Sequence, residues 1–481
     1  MNLKHRSTAI ARVQAVLCAL LLCGGVARPE QEPTFSELAK PSRKVPGAPA
    51  RSDVIVRNLR PHPIAGRAED PHDTLRMIAE FHVTRLEWTY GLDRTFVQKL
   101  KAIGVTVGGA IEDDPGSRTR LGRVTSKTGE LVTHAWFPKT RLVGCANAPE
   151  FREAWLAEAK AAVDSGVDVM QQDDPQMALR TAPPFCYCTY CERAFATYTA
   201  QHGTLASYEQ FQKDSILEFH RAMHREIDSY AGRHIPFSHN STIGMNARAD
   251  WVSSAFDFVN AEIDARNTDP RKLLSVIAAA DGMPLVFSFR ETDVAANRRF
   301  FALTYATGTW MMLPWDVYMP NNKPRYFGRS EEYGDLSGFV RANAAYLDGY
   351  ELAANAGAAA PPADESPSLQ IDGAAEVCAF ARATPGVANA PVTLHVIDTR
   401  SEPQPFTLRV RMARLGWGGV AAHLRAPAAY NATAHARAQA SGDFAPLSTD
   451  IRLTATTSEG WFVFRIPAVR PWGIVVLSPA R

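Results

Sequence analysis

Gly166-Val167-Asp168-Val169-Met170-Gln171-Gln172-Asp173-Asp174-Pro175 is a short apolar run that ends on two adjacent acids and a proline. It reads as a short buried strand. The segment before it has helical spacing: Pro149 opens a helix with Phe151, Trp155, Ala159 and Val163 on one face. After it comes Cys186-Tyr187-Cys188-Thr189-Tyr190-Cys191, and then a long amphipathic helix through Tyr208, Phe211, Ile216, Phe219, Met223, Ile227 and Tyr230.

The same strand–helix unit recurs in both directions. Strands are expected at 53–57, 85–90, 105–111, 167–172, 235–238, 256–261, 284–289 and 309–313, with helical patterns between them. Eight such units in about 300 residues fit a (β/α)8 TIM barrel better than an open doubly wound sheet. No Gly-rich phosphate loop follows the first strand, which weakens the dinucleotide-binding alternative. The barrel is assigned to 51–352. Residues 353–367, rich in Ala and Pro, read as a linker. From 368 to 481 helical spacing gives way to alternation, as in Val392, Leu394 and Val396 or Trp461, Val463 and Phe464, which indicates a small all-β sandwich.

The chain of 481 residues carries a formal charge of +2, and no basic run is long enough to engage nucleic acid or an anionic membrane surface. At the N-terminus Lys4, His5, Arg6 and Arg12 precede the apolar run 15–22 and the small residues Gly25-Val26-Ala27. This is the pattern of a secretory signal peptide over 1–27, so a secreted or periplasmic protein with no membrane span after processing is expected. Residues 28–50 read as a flexible lead-in.

In a barrel of this kind the C-terminal strand ends and the loops after them build the site. Those ends carry Glu87, Trp88 and Tyr90; Glu112 and Asp113; Asp173 and Asp174; His239 and Asn240; Glu262; Arg290 and Glu291; and Trp315 and Asp316. Carboxylates with aromatics between them suit glycosidic cleavage. One acid protonates the leaving oxygen, a second carboxylate attacks the anomeric carbon or activates water, and sugar rings stack on the aromatics. Asp173 or Asp174 is the candidate nucleophile or base, and Glu291 or Glu262 the candidate acid. Glu87, Trp88, Tyr90, Glu112, His239, Asn240, Arg290, Trp315 and Asp316 are candidates for holding substrate. Alternation sends adjacent side chains to opposite faces, so only one of Asp173 and Asp174 should face the barrel axis.

Cys145 lies before the strand that ends on Asp173, and Cys186, Cys188 and Cys191 lie after it. The fold would bring these loops to the same rim. Four thiolates there would fit a tetrahedral structural zinc, while two disulfides would suit an oxidising compartment.

Cys145-Ala146-Asn147-Ala148-Pro149-Glu150-Phe151-Arg152 together with Cys186-x-Cys188-x-x-Cys191 resembles the barrel of family 42 glycoside hydrolases and related hypothetical glycosyl hydrolases. The resemblance covers residues 145–195 and implies zinc ligation by Cys145, Cys186, Cys188 and Cys191. The chain departs from that family at the strand-four end, where Pro175 stands at the position of the proton-donating Glu, and near strand seven, where Phe289 stands near the nucleophile's register. Galactosidase activity is therefore not implied. A strand-four Asp is similar instead to retaining glycosidases that use it as nucleophile.

A secreted glycosidase acting on an oligo- or polysaccharide is the reading these residues favour. A carbohydrate-binding barrel that has lost its acid/base is the alternative, with Pro175 in its support. A metal-dependent hydrolase using the rim acids is a third.

Overall fold

A computed structural model describes residues 32–57, 71–115, 119–134, 141–180, 185–248, 250–263, 269–289, 293–313, 315–318, 323–327, 329–360, 367–373 and 375–480. The expected signal peptide at 1–27 lies outside them, as do Arg290 and Glu291. Among the described residues no helix is long and apolar enough to cross a membrane.

Eight parallel strands close into a barrel in sequence order: β1 (Ile55–Arg57), β2 (Arg85–Thr89), β3 (Thr106–Ile111), β4 (Val169–Gln172), β5 (Phe237–Ser241), β6 (Phe258–Ile263), β7 (Leu285–Phe289) and β8 (Trp310–Leu313). Each lies within about three residues of the stretch read from sequence, because most of the strands start on apolar residues between helices with one apolar face. The outer face of the wall packs on helices. On β4, for example, Met170 is buried and Gln172 accepts a hydrogen bond from Trp155 Nε1 at 2.8 Å, on the helix Pro149–Ser165.

Register fixes which residues face the lumen. Arg57 pairs with Glu87, Gly108 with Val169, Gln171 with Ser238, Asn240 with Asn260, and Glu262 with Ser288. Parallel partners share a face and alternate residues repeat it, so these side chains line the inside. The middle of the lumen is polar. Asn260 Nδ2 donates to Gln171 Oε1 and to Ser238 Oγ, and Arg85 pairs with Glu87 at 2.6 Å. Gly108 lacks a side chain for a steric reason: a Cβ there would stand 2.5 Å from Glu87 Oε2.

β8 leads into an antiparallel hairpin of β9 (Trp315–Tyr318) and β10 (Lys323–Phe327). The C-terminal domain comprises two antiparallel sheets. One has the order β11 (Glu351–Gly357), β13 (Val377–Ala383), β14 (Val392–Asp398), β20 (Trp472–Pro479), β16 (Val420–Pro427) and β17 (Ser448–Leu453). The other runs β12 (Leu369–Asp372), β15 (Phe406–Arg411), β19 (Trp461–Ile466) and β18 (Ala455–Ser458). Two segments differ from expectation. The lead-in 28–50 contains the helix Phe35–Leu38, whose Phe35 is buried in the core of the β domain. The first residues assigned to the linker, 353–357, belong to β11 of the larger sheet.

The two domains are packed together. Trp472 of β20 stands edge-on to Phe339 at 4.9 Å, and buried Arg382 of β13 donates to the carbonyl of Tyr305 at 2.9 Å. An Ala-rich helix, Ala432–Ser441, returns to the barrel. Its His435 is 2.8 Å from His82 Nε2, and Gln439 is 2.8 Å from His82 Nδ1.

Burial holds six imidazoles below their ordinary range: His82, His224, His239 and His395, with His220 and His435 each lowered to about 4. In the unfolded chain they would protonate near pH 6.5. Below that pH the unfolded state binds more protons, so stability falls as the medium is acidified toward pH 4. Asp114, raised to about 7 by burial and then by the charge of Asp113, opposes this, as do the raised Glu87 and Glu158. The imidazoles outnumber them. The melting temperature is therefore expected to drop by several degrees between pH 7 and pH 5, and His435→Gln to shallow that slope; thermal scans across the range check both.

Candidate active site

Asp173 follows β4 directly, two residues beyond lumen-facing Gln171, and continues that face. Its Oδ2 accepts from the Tyr90 hydroxyl at 2.7 Å and its Oδ1 from Asn240 Nδ2 at 2.9 Å. The backbone N–H of Asp174 donates to Oδ1 at 3.0 Å. Three donors from three places thus fix one carboxylate. Burial, and then the Asp173 charge, hold Tyr90 well above the usual phenol range, so it stays protonated and donating.

Trp88 positions Tyr90. Its Nε1 donates to the Tyr90 hydroxyl at 3.0 Å, and its backbone has φ +57° at a register irregularity in β2. A bulky residue in the left-handed region is costly and is kept only where surrounding contacts over-determine it. Here the contact is Arg57, whose guanidinium lies 4.3 Å over the indole ring. Arg57 also donates to Ser288 Oγ at 2.7 Å and stands 4.0 Å from Glu262 Oε1.

The inner rim therefore gathers Trp88, Tyr90, Asp173, Asn240 and Glu262, all expected from sequence. It adds Arg57 and Ser288, which were not. Arg57 ends the first strand and could have been found by including that strand among the polar strand ends.

Other candidates lie elsewhere. Glu87 is 0% exposed and salt-bridged to Arg85 in the middle of the lumen. It is a barrel-core ion pair and does not reach the rim, because β2 runs two residues past it. His239 points outward, as alternation between inward Ser238 and Asn240 requires; it is buried 3.0 Å from Ser253 Oγ and against Phe256. Glu112 is ion-paired to Arg141. Trp315 and Asp316 lie on β9.

Asp174 turns away from the lumen with φ +48°. It joins Asp113, at the end of β3, and His134, from the long loop after β3. His134 Nε2 lies 3.2 Å from Asp113 Oδ1 and 3.5 Å from Asp174 Oδ2, and all three residues are buried. That loop is tied by isolated bridges Arg123↔Gly144, Thr125↔Leu131 and Thr133↔Leu142. Gly144 has no room for a side chain, since a Cβ there would overlap the Phe151 ring at 2.0 Å.

Behind this loop the four cysteines meet. Cys145 Sγ is 3.6 Å from Cys188 Sγ and 3.5 Å from Cys191 Sγ, and Cys186 completes a group whose sulfurs lie within 4.8 Å of one another. Asn147 Nδ2 donates to Cys191 Sγ at 3.3 Å. Hydrogen bonds from Cys145, Cys186 and Cys191 pull the Cys188 thiol far below its ordinary range. Such a donor set could bind a metal.

No protein-family model and no curated protein matches the chain. Solved structures of TIM-barrel glycoside hydrolases share its fold. Alpha-L-fucosidase isoenzyme 2 from Paenibacillus thiaminolyticus superposes with a TM-score of 0.57 at 10% identity, covering 89% of this chain and 100% of that one. An Anoxybacillus alpha-amylase gives 0.53 at 10% identity, over 90% and 99%. The native Nostoc punctiforme debranching enzyme gives 0.51 at 10% identity, over 90% and 100%.

Proposed function

We propose that the protein is a secreted or periplasmic glycosidase that cleaves an oligo- or polysaccharide with Asp173 as nucleophile and Glu262 as acid/base. The observation that carries this reading is their placement on one inner layer of the rim, at the ends of β4 and β6 with Asn240 of β5 between them. Adjacent strands are about 4.8 Å apart, so two steps span roughly 10 Å along the wall. Inward side chains converge from there, into the range of roughly 5–10 Å over which carboxyl pairs work.

In this mechanism Asp173 attacks the anomeric carbon while Glu262 gives its proton to the departing glycosidic oxygen. The carboxylate left on Glu262 then takes a proton from water, the water oxygen bonds to the anomeric carbon, and Asp173 is released. Tyr90 and Asn240 keep the attacking oxygens aimed, and Trp88, buried beneath Arg57, holds Tyr90 in place and does not meet the sugar. With the donor on β6, Pro175 is no obstacle to catalysis. It lies in the turn after β4, where its carbonyl accepts from buried His220 at 2.8 Å.

Cys145, Cys186, Cys188 and Cys191 would hold a structural zinc, as the likeness of this segment to family 42 implies. At a Zn–S length of about 2.3 Å a tetrahedral site has sulfur–sulfur edges of roughly 3.8 Å, close to the separations between Cys145 and its neighbours. All four positions are filled by protein, so the ion would take no part in the reaction.

A screen of aryl glycosides and polysaccharides tests the proposal, with Glu262→Gln beside wild type. The variant is expected to lose about 10²–10⁴-fold on substrates with poor leaving groups and much less on activated aryl glycosides, which need no protonation. Equal losses on both would remove Glu262 from the acid role. Sugar binding without turnover of any substrate would favour a binding barrel.

A further inference from the structure

We propose that Asp113, His134 and Asp174 form a metal site, distinct from the cysteine cluster, that takes a zinc- or manganese-class dication through one imidazole nitrogen and two carboxylate oxygens. The three donor atoms lie within 4.8 Å of one another. The two edges that meet at His134, 3.2 and 3.5 Å, are close to what a tetrahedral ion with bonds of about 2.0–2.2 Å would impose, roughly 3.3–3.6 Å. One imidazole with two carboxylates suits zinc or manganese, whereas calcium and magnesium favour oxygen throughout.

A second observation points to a ligand. Asp113 is 3% exposed, and among the described residues its Oδ1 accepts no hydrogen bond although it faces His134 Nε2. A buried carboxylate oxygen with no donor is costly. The two described arginines of this loop are engaged elsewhere. Arg141 pairs with Glu112 and Asp114, and the Arg123 guanidinium donates to the backbone carbonyls of Thr119, Leu142 and Pro115. A dication between the three side chains would complete the coordination of Asp113 and offset the excess of acid.

The site would act by positioning. It joins the end of β3, the β3 loop and the turn after β4. Asp174 supplies both a ligand oxygen and the backbone N–H that holds Asp173 Oδ1. The ion would therefore fasten the left-handed Asp174 turn and, through it, the orientation of Asp173.

The test is the metal content of the full chain, purified without chelator and measured by plasma mass spectrometry. Folded His134→Ala and Asp113→Asn are each expected to hold one ion fewer per chain than wild type, and Cys186→Ser/Cys188→Ser to keep that ion. The comparison separates this site from the cysteines whichever way the zinc reading falls. Should the variants not fold, chelator-stripped wild type is titrated with manganese(II) chloride, and nitrogen coupling from one imidazole is expected in the pulsed electron paramagnetic resonance spectrum. Unchanged metal content in the folded variants, or manganese bound without nitrogen coupling or not at all, overturns the proposal.

Discussion

Asp173→Asn is expected to lower kcat/KM by about 10³-fold or more on any glycoside the protein turns over, with the melting temperature changed by only a few degrees. The amide keeps the shape: its oxygen can still accept from Asn240 and from the Asp174 N–H, and its NH2 can donate to the Tyr90 oxygen, so packing survives. It cannot form the covalent glycosyl intermediate. Asp173→Ala gives the sharper readout. It opens space at the anomeric carbon, and added azide can attack there in place of the carboxylate, restoring turnover of an activated aryl glycoside and releasing a glycosyl azide. Rescue of that kind would not follow from a merely structural role. Asp174→Asn is the internal control: its side chain faces Asp113 and His134, so a smaller loss is expected, accompanied by a lower melting temperature. Full activity in Asp173→Asn with none in Asp174→Asn would mean that the lumen-facing acid has been misassigned.

That assignment shows what could and could not be read from sequence. The barrel was legible because its strands are buried on both sides and its helices carry one apolar face; the two signals alternate cleanly along the chain. The rim was legible only as a set of strand ends. Which member of each pair faces the lumen depends on register, and register belongs to the pairing of strands distant in sequence. Asp173 and Asp174 therefore remained interchangeable until Gln171 was matched with Ser238. His239 looked like a site residue beside Asn240, yet one step of alternation sends it outward. Glu87 was grouped with Trp88 and Tyr90 as one strand end, yet β2 runs two residues past it and its register sets it in the middle of the lumen. The helix Thr189–His202 was hidden for another reason: its first turn carries Cys191, and the cysteine spacing masked the helical one. The helix Ala432–Ser441 gave no signal, since alanines show little apolar periodicity.

Removing the zinc proposed for the cysteine cluster, or replacing Cys188 with Ser, is expected to lower the melting temperature by about 4 °C. The cluster joins the loop before the helix Pro149–Ser165 to the loop after β4, so an ion there ties together both segments flanking the strand that carries Asp173. A ligand held at about 1,000 times its dissociation constant stabilises the folded state by roughly 4 kcal/mol. With an unfolding entropy of about 2.1 cal/mol/K per residue, each kcal/mol moves the midpoint of a 481-residue chain by about 1 °C. Thermal scans with and without chelator, and after zinc is restored, measure the effect. Zinc should recover the lost stability in wild type and not in Cys188→Ser. Two disulfides would behave in the opposite way: chelator would do nothing and reductant would destabilise. Activity adds a second readout. An ion of purely structural role should leave kcat unchanged at low temperature, where the stripped protein is still folded, and shorten only the time for which activity survives on warming. A fall in kcat at low temperature, before any unfolding, would instead mean that the clamp sets the position of the β4 turn and thus of Asp173 itself.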